Sequence, residues 1–135
     1  MTIDTDRLIV DELRQALDDV VAVYRFGSTA QETTHRGSDT DLAVLIRQRL
    51  SPEARFDIQE RIAAHLGHDV DLVDLAAATP VMAIQIVAGG RLLYDGDSAA
   101  RGLFEDRVFG AYARLNEERR GILERVAAEG TVYGR

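Results

Sequence analysis

VVAVYRFGS (residues 20–28) and DTDLAVLI (residues 39–46) set the architecture of this chain. The first, Val20 to Phe26, is short, β-branched and aromatic, and Gly27 stops it, so it reads as a buried strand. Ser28 is placed to cap a short helix over about residues 29–34, with Glu32 in its first turn, and the polar run Thr33 to Ser38 reads as a loop. Thr40 to Ile46 then forms a second strand, entered through Asp39.

Working outward, Leu8, Ile9, Leu13, Ala16 and Leu17 recur at helical spacing, which predicts an opening amphipathic helix over residues 5–19. Pro52 marks a helix start, the stripe Phe56, Ile58, Ile62, Ala63, Leu66 continues it, and Gly67 ends it. Val70 to Leu75 reads as a third strand. Pro80 opens a helix to about Val87, stopped by Gly89-Gly90. Arg91 to Tyr94 is a short strand, Asp95-Gly96 a turn, and residues 98–129 one or two closing helices. This order predicts an α/β (α+β) chain with a small mixed sheet, flanking helices and a helical C-terminus, organised as one domain over residues 1–135.

Composition narrows the function classes. The 135 residues are 46% hydrophobic and 29% charged, an ordinary globular balance. The absence of cysteine removes disulfides and thiolate metal sites. The acidic start MTIDTDRLIVDEL does not fit a signal peptide, and no apolar run nears the roughly 20 residues that span a bilayer. A cytoplasmic protein with no membrane association is expected. The net charge of -7 argues against a broad nucleic-acid surface, so no direct nucleic-acid binding is expected.

Three features carry chemistry. Gly27-Ser28 sits at a strand-to-helix junction, where glycine admits a phosphate close to the backbone and a helix N-terminus presents free N–H groups; the same dipeptide also serves as an ordinary turn and cap. Asp39 and Asp41, two apart on a strand, point the same way; such a pair is tolerated around a divalent cation or in full solvation. Asp71 lies within an apolar strand that reads as central, where an unpaired carboxylate is costly. Asp69 and Asp74 are the alternatives for the inward acid, and Asp71 is favoured by its apolar neighbours. If this strand adjoins the second, three carboxylates meet beside the Gly-Ser turn, which are the parts needed for two-Mg²⁺ phosphoryl transfer.

Gly27-Ser28, ten residues, then Asp39-Thr40-Asp41 running into Leu42-Ala43-Val44 resembles the signature of the DNA polymerase β-like nucleotidyltransferases. The Val-Asp-Leu-Val-Asp-Leu segment and Gly90 to Tyr94 narrow the resemblance to the minimal nucleotidyltransferases, the MntA-type antitoxins paired with HEPN ribonuclease toxins. The resemblance implies that Gly27 and Ser28 hold the triphosphate of ATP. It also implies that Asp39 and Asp41 bind two Mg²⁺, and that Asp71 completes the metal site and helps activate the acceptor. The implied activity is AMP transfer from ATP to a tyrosine of the HEPN partner, which silences it. One departure stands out: Gln31-Glu32 replaces a family Arg-Gly pair, leaving Arg36 or Arg25 to supply the positive charge. A non-catalytic antitoxin acting by binding alone and a small-molecule, aminoglycoside-type nucleotidyltransferase are the alternatives. His35 reads as a solvated loop residue, His65 and His68 as partners of helix-end carbonyls, Arg47 to Arg49 as a solvated face, and Phe104, Val108, Tyr112 and Leu115 as mostly core.

Overall fold

The computed structural model describes residues 2–27 and 40–129. Its elements are α1 (Thr2–Ala16), β1 (Val20–Phe26), β2 (Thr40–Ile46), α2 (Pro52–Leu66), β3 (Val70–Asp74), α3 (Pro80–Gly89), β4 (Arg91–Asp95) and α4 (Ser98–Glu129). The strands form one mixed sheet in the order β3-β2-β1-β4, with β1 antiparallel to β2 and β4, and β2 parallel to β3. The parallel pair is joined through α2, the crossover that parallel strands require.

Period-2 alternation sorts the strand side chains onto two faces. Val23, Leu42, Val44, Val70 and Leu72 pack on Ile9 and Leu13 of α1 and Ile58 and Ile62 of α2. Ala22, Tyr24, Ala43 and Leu45 pack on the other side against Ala83 and Ile86 of α3 and Val108 of α4. Among the described residues, no helix is long and apolar enough to cross a membrane.

β1, β2 and α2 coincide with the elements read from sequence. Ser51 Oγ caps α2 by accepting from Ala54 N, and Gly67 ends it in the left-handed region at φ 80. α1 ends at Ala16, earlier than expected, because the chain must reverse into β1 at once, and Asp19 makes that turn at φ 59. β3 stops at Asp74 because Leu75 begins a 3-10 turn, Leu75–Ala77, that buries its side chain under α3. The closing segment is a single helix. The predicted helix over 29–34 and the loop over 33–38 lie outside the described residues.

Two ion networks tie helices to the sheet. Arg25 and Arg91 are cross-strand neighbours whose like charges would repel, and Asp6 of α1 lies between them, at 3.1 Å from Arg25 Nη1 and 2.6 Å from Arg91 Nη1. On the opposite face Tyr24 donates to Glu105 Oε2 at 2.5 Å, while Arg101 donates to both Glu105 and Asp95. Burial, then acceptance by Glu105, pushes the Tyr24 phenol well above its ordinary range. Arg47 to Arg49 stand exposed as read from sequence, and on that solvated face the Arg47 guanidinium pairs with Asp97.

Candidate active site

Because β1 runs against β2 and β2 runs with β3, the end of β1 and the starts of β2 and β3 meet at one end of the sheet. Phe26 is the register partner of Asp41, and Asp41 that of Asp71. Register partners on adjacent strands point to the same side, roughly 4.7–4.9 Å apart along the sheet. Gly27, Asp41 and Asp71 are therefore brought together on the face that α3 covers further in. Ser28 and Asp39 lie outside the described residues, as do His35 and Arg36.

Gly27 is required by this packing. It sits at φ 88, and a Cβ built on it would fall on Oδ2 of Asp41 and 3.1 Å from its Cγ. The Asp41 carboxylate is thus seated against the bare side of the glycine. Asp41 is half-buried and Asp71 exposed. The expectation that Asp71 stands in a central strand is overturned: among the described residues β3 is the edge of the sheet. Its apolar character comes from Val70 and Leu72, which face α1 and α2, whereas Asp71 faces solvent on the other side. The carboxylate is tolerated there by hydration, so burial is not the argument for a cation. In-register like charges are the argument that remains: two carboxylates on adjacent parallel strands repel, and a cation between them, like full solvation, relieves that repulsion. The donor set fits Mg²⁺, which takes one or two carboxylates plus phosphate oxygens and water. Among the described residues no cluster of three acidic or histidine ligands occurs, and the third predicted acid, Asp39, is outside them.

A clamp that sequence reasoning missed holds the two acids in register. Thr40 is 1% exposed, and its Oγ1 shares a 2.7 Å hydrogen bond with His68 Nε2, while its N–H donates to Asp69 O at 3.1 Å. The signal was the alternation itself. Thr40 must face inward if Asp41 faces the site, and a buried hydroxyl needs a partner. His68 therefore joins strand starts, not helix carbonyls, and His65 pairs with Glu12 at 2.6 Å. Arg25 is corrected as a phosphate ligand, since its side chain is 15% exposed and committed to Asp6.

α3 walls the site, a role its sequence did not announce. Ile84, Gln85 and Ala88 flank Phe26 and Gly27 around a cavity of about 440 Å³. Its N-terminal end, with Met82, flanks Asp71 around a second cavity of about 410 Å³. The readable hint was that Gln85 is the one polar side chain between Pro80 and Gly89, so this helix has no hydrophilic face. Beside the second cavity, desolvation raises the Asp74 carboxyl, partly opposed by the Ala76 N–H and by Arg55.

Comparison with known proteins follows the same lines. The profile of the family described as polymerase beta, nucleotidyltransferase, matches residues 9–99. The chain belongs to the polymerase β nucleotidyltransferase family. The matched span holds every strand of the sheet described above, and with them the elements that carry the candidate site. The chain is 38% identical over 120 residues to the protein adenylyltransferase MntA of Shewanella oneidensis, across 89% of this chain and 86% of that protein. It superposes on a chain of a toxin–antitoxin crystal structure with AMP-PNP at TM-score 0.80, with 36% identity over 90% of this chain and 98% of that one. It also superposes on a chain of the tri-AMPylated Shewanella oneidensis HEPN toxin in complex with MNT antitoxin. There the TM-score is 0.78 and the identity 31%, over 94% of this chain and 99% of the other.

Proposed function

We propose that this chain is one minimal nucleotidyltransferase domain acting in the cytoplasm as an antitoxin. It transfers AMP from ATP, with Mg²⁺, to a tyrosine hydroxyl of a cognate HEPN ribonuclease toxin and so neutralises it. The observation that supports this reading best is the Asp41–Asp71 register pair seated beside Gly27, in a chain 38% identical to a protein adenylyltransferase. Asp39, Asp41 and Asp71 would hold two Mg²⁺, whose chemistry is to acidify the acceptor hydroxyl and to neutralise charge on the triphosphate.

The chain's own residues supply the rest. Gly27 and Ser28 hold the triphosphate, with backbone approach made possible by the missing side chain. Asp71, on the outer strand, orients the acceptor hydroxyl and receives its proton, then releases it to water. The acceptor oxygen forms a bond to the α-phosphorus as the bond to the bridging oxygen breaks, and pyrophosphate leaves with that electron pair. A phenol, with pKa near 10, needs such activation at neutral pH.

The test is intact-mass analysis of the chain and its neighbouring HEPN partner after incubation with ATP and Mg²⁺. One or more AMP units on the partner are expected, absent with Asp41→Ala or Asp71→Ala. A tight complex with no mass gain would instead establish neutralisation by binding alone.

A further inference from the structure

The sheet supports β3, the strand that carries Asp71, on one side only. The strand is five residues long and, among the described residues, pairs with β2 alone. Its other side is met by two side chains of α2. Arg55 Nη1 donates to Leu72 O at 3.0 Å, and Leu72 N donates to Gln59 Oε1 at 2.9 Å. We infer that Arg55 and Gln59 are positioning residues: by gripping both backbone groups of Leu72 they hold the adjacent Asp71 in register with Asp41 for transfer. The inference rests on the transferase reading and deepens it, since neither side chain has a part in the chemistry described above.

The geometry is that of a clamp. Successive residues of a strand turn their N–H and C=O groups to opposite edges. Those of Leu72 point outward to α2, so those of Asp71 and Val73 point inward to the parallel ladder with β2. Arg55 and Gln59 lie four apart, on one face of α2. Beside them, Ile58 and Ile62 anchor the helix in the same core cluster as the Leu72 side chain. Side chain, N–H and C=O of Leu72 are thus all fixed to one helix. The strand can neither turn about its axis nor slide along β2 without breaking these contacts, and the direction of the Asp71 side chain is fixed with it.

Satisfying an edge strand does not require such a clamp. Water meets exposed backbone groups at small cost, whereas ordering an arginine and a glutamine side chain gives up rotamer freedom. What the clamp resists is electrostatic. Asp41 and Asp71 are register partners, and like charges side by side push the outer strand away from its neighbour. A charged guanidinium is the stronger kind of donor to set against that push. On the inner side, Thr40 N donates to Asp69 O and Thr40 Oγ1 meets His68, so the chain is tied to β2 just before Asp71. The grip on Leu72 ties it just after, and Asp71 is held between the two.

The experiment compares wild-type chain with Gln59→Leu and Gln59→Glu. Leucine suits a helix and leaves every charge in place but accepts no hydrogen bond, whereas glutamate again offers an oxygen to Leu72 N. Measurements are made where circular dichroism shows each variant fully folded. In chain free of metal and nucleotide, amide hydrogen exchange in β3 is expected to quicken about tenfold in Gln59→Leu, with β1 unchanged. In AMP transfer to the cognate HEPN toxin, kcat is expected to fall by about 10- to 10²-fold, the cost of misplacing a reacting group by up to about 1 Å, with the KM for toxin unchanged. Gln59→Glu restores both. Arg55→Lys, which keeps the charge but not the fork of donors, is the second variant, with a smaller loss of kcat expected. Quickened exchange with wild-type kcat makes the clamp purely structural and overturns the assignment. A loss confined to the KM for toxin, or wild-type behaviour in both readouts, overturns it as well. Absence of transfer by the wild-type chain itself overturns the transferase reading instead, and the inference with it.

Discussion

Two glycines in this chain share a backbone conformation but differ in what surrounds them, and comparing them separates backbone strain from what the missing side chain does at the site. Gly27 at φ 88 and Gly67 at φ 80 both lie in the left-handed region. Replacing either by alanine costs about 1–2 kcal/mol of backbone strain, offset by about 0.4–1 kcal/mol from the stiffer unfolded chain. The net loss is about 1 kcal/mol. For 135 residues, with an unfolding entropy of about 2.1 cal/mol/K per residue, that lowers Tm by about 3–4 °C in each variant.

Their surroundings then separate them. A Cβ at Gly67 meets nothing within 4 Å, so Gly67→Ala carries the strain alone and keeps its activity. At Gly27 the new methyl clashes with Asp41 Oδ2, so the carboxylate must rotate away or the strand end must shift. A displacement of that kind at a reacting centre costs about 10²-fold. Thermal melts and AMP-transfer kinetics on both variants provide the test. Gly27→Ala retaining wild-type kcat, or Gly67→Ala losing activity to the same degree, would refute the argument that Gly27 exists to seat Asp41.

Tyr24→Phe is expected to lose about 1.5–3 kcal/mol near neutral pH, the usual worth of a hydrogen bond to a charged group. Because the phenol is raised in the folded state, its stabilisation is full below the ordinary value near 10 and falls as pH rises beyond it. Urea titrations from pH 7 to 11 should show a steeper alkaline decline in wild type than in Tyr24→Phe. Thr40→Val removes the hydroxyl that meets His68, and is expected to cost about 1–3 kcal/mol. It should lower kcat more than it changes the KM for ATP, with Thr40→Ser restoring both; an unchanged kcat would show that the clamp does not set the register of the acids.

Local chemistry was legible in the sequence and long-range pairing was not. β1 could be bounded because a β-branched run ends at Gly27, and α2 because Pro52 and Gly67 bracket an apolar stripe. The glycine and the Asp41 strand were readable for the same reason, since both are properties of a few consecutive residues. The edge position of β3 was not, because it depends on β4 returning to pair with β1 while nothing pairs beyond β3 among the described residues. His68 was misread on similar grounds. Its neighbours in sequence are a helix end, but its partner, Thr40, is reached only through the parallel pairing of β2 with β3.

The misplacement of Asp71 bears on what kind of acceptor the proposed enzyme can use. In a central strand the same acid would have a neighbouring strand on each side, leaving the end of the sheet as its approach. On the outer strand the same carboxylate opens sideways to solvent, past Met82 and the 3-10 turn, with no further strand beyond it among the described residues. Under the proposed function, an acceptor there remains attached to a folded protein while one side chain reaches the candidate acids Asp41 and Asp71. The helix α2 then has two duties at that edge: it carries the crossover, and through Arg55 and Gln59 it closes the Leu72 backbone against strand pairing. An edge open at Asp71 and closed at Leu72 suits the side-chain acceptor of the proposed transferase better than an added strand would.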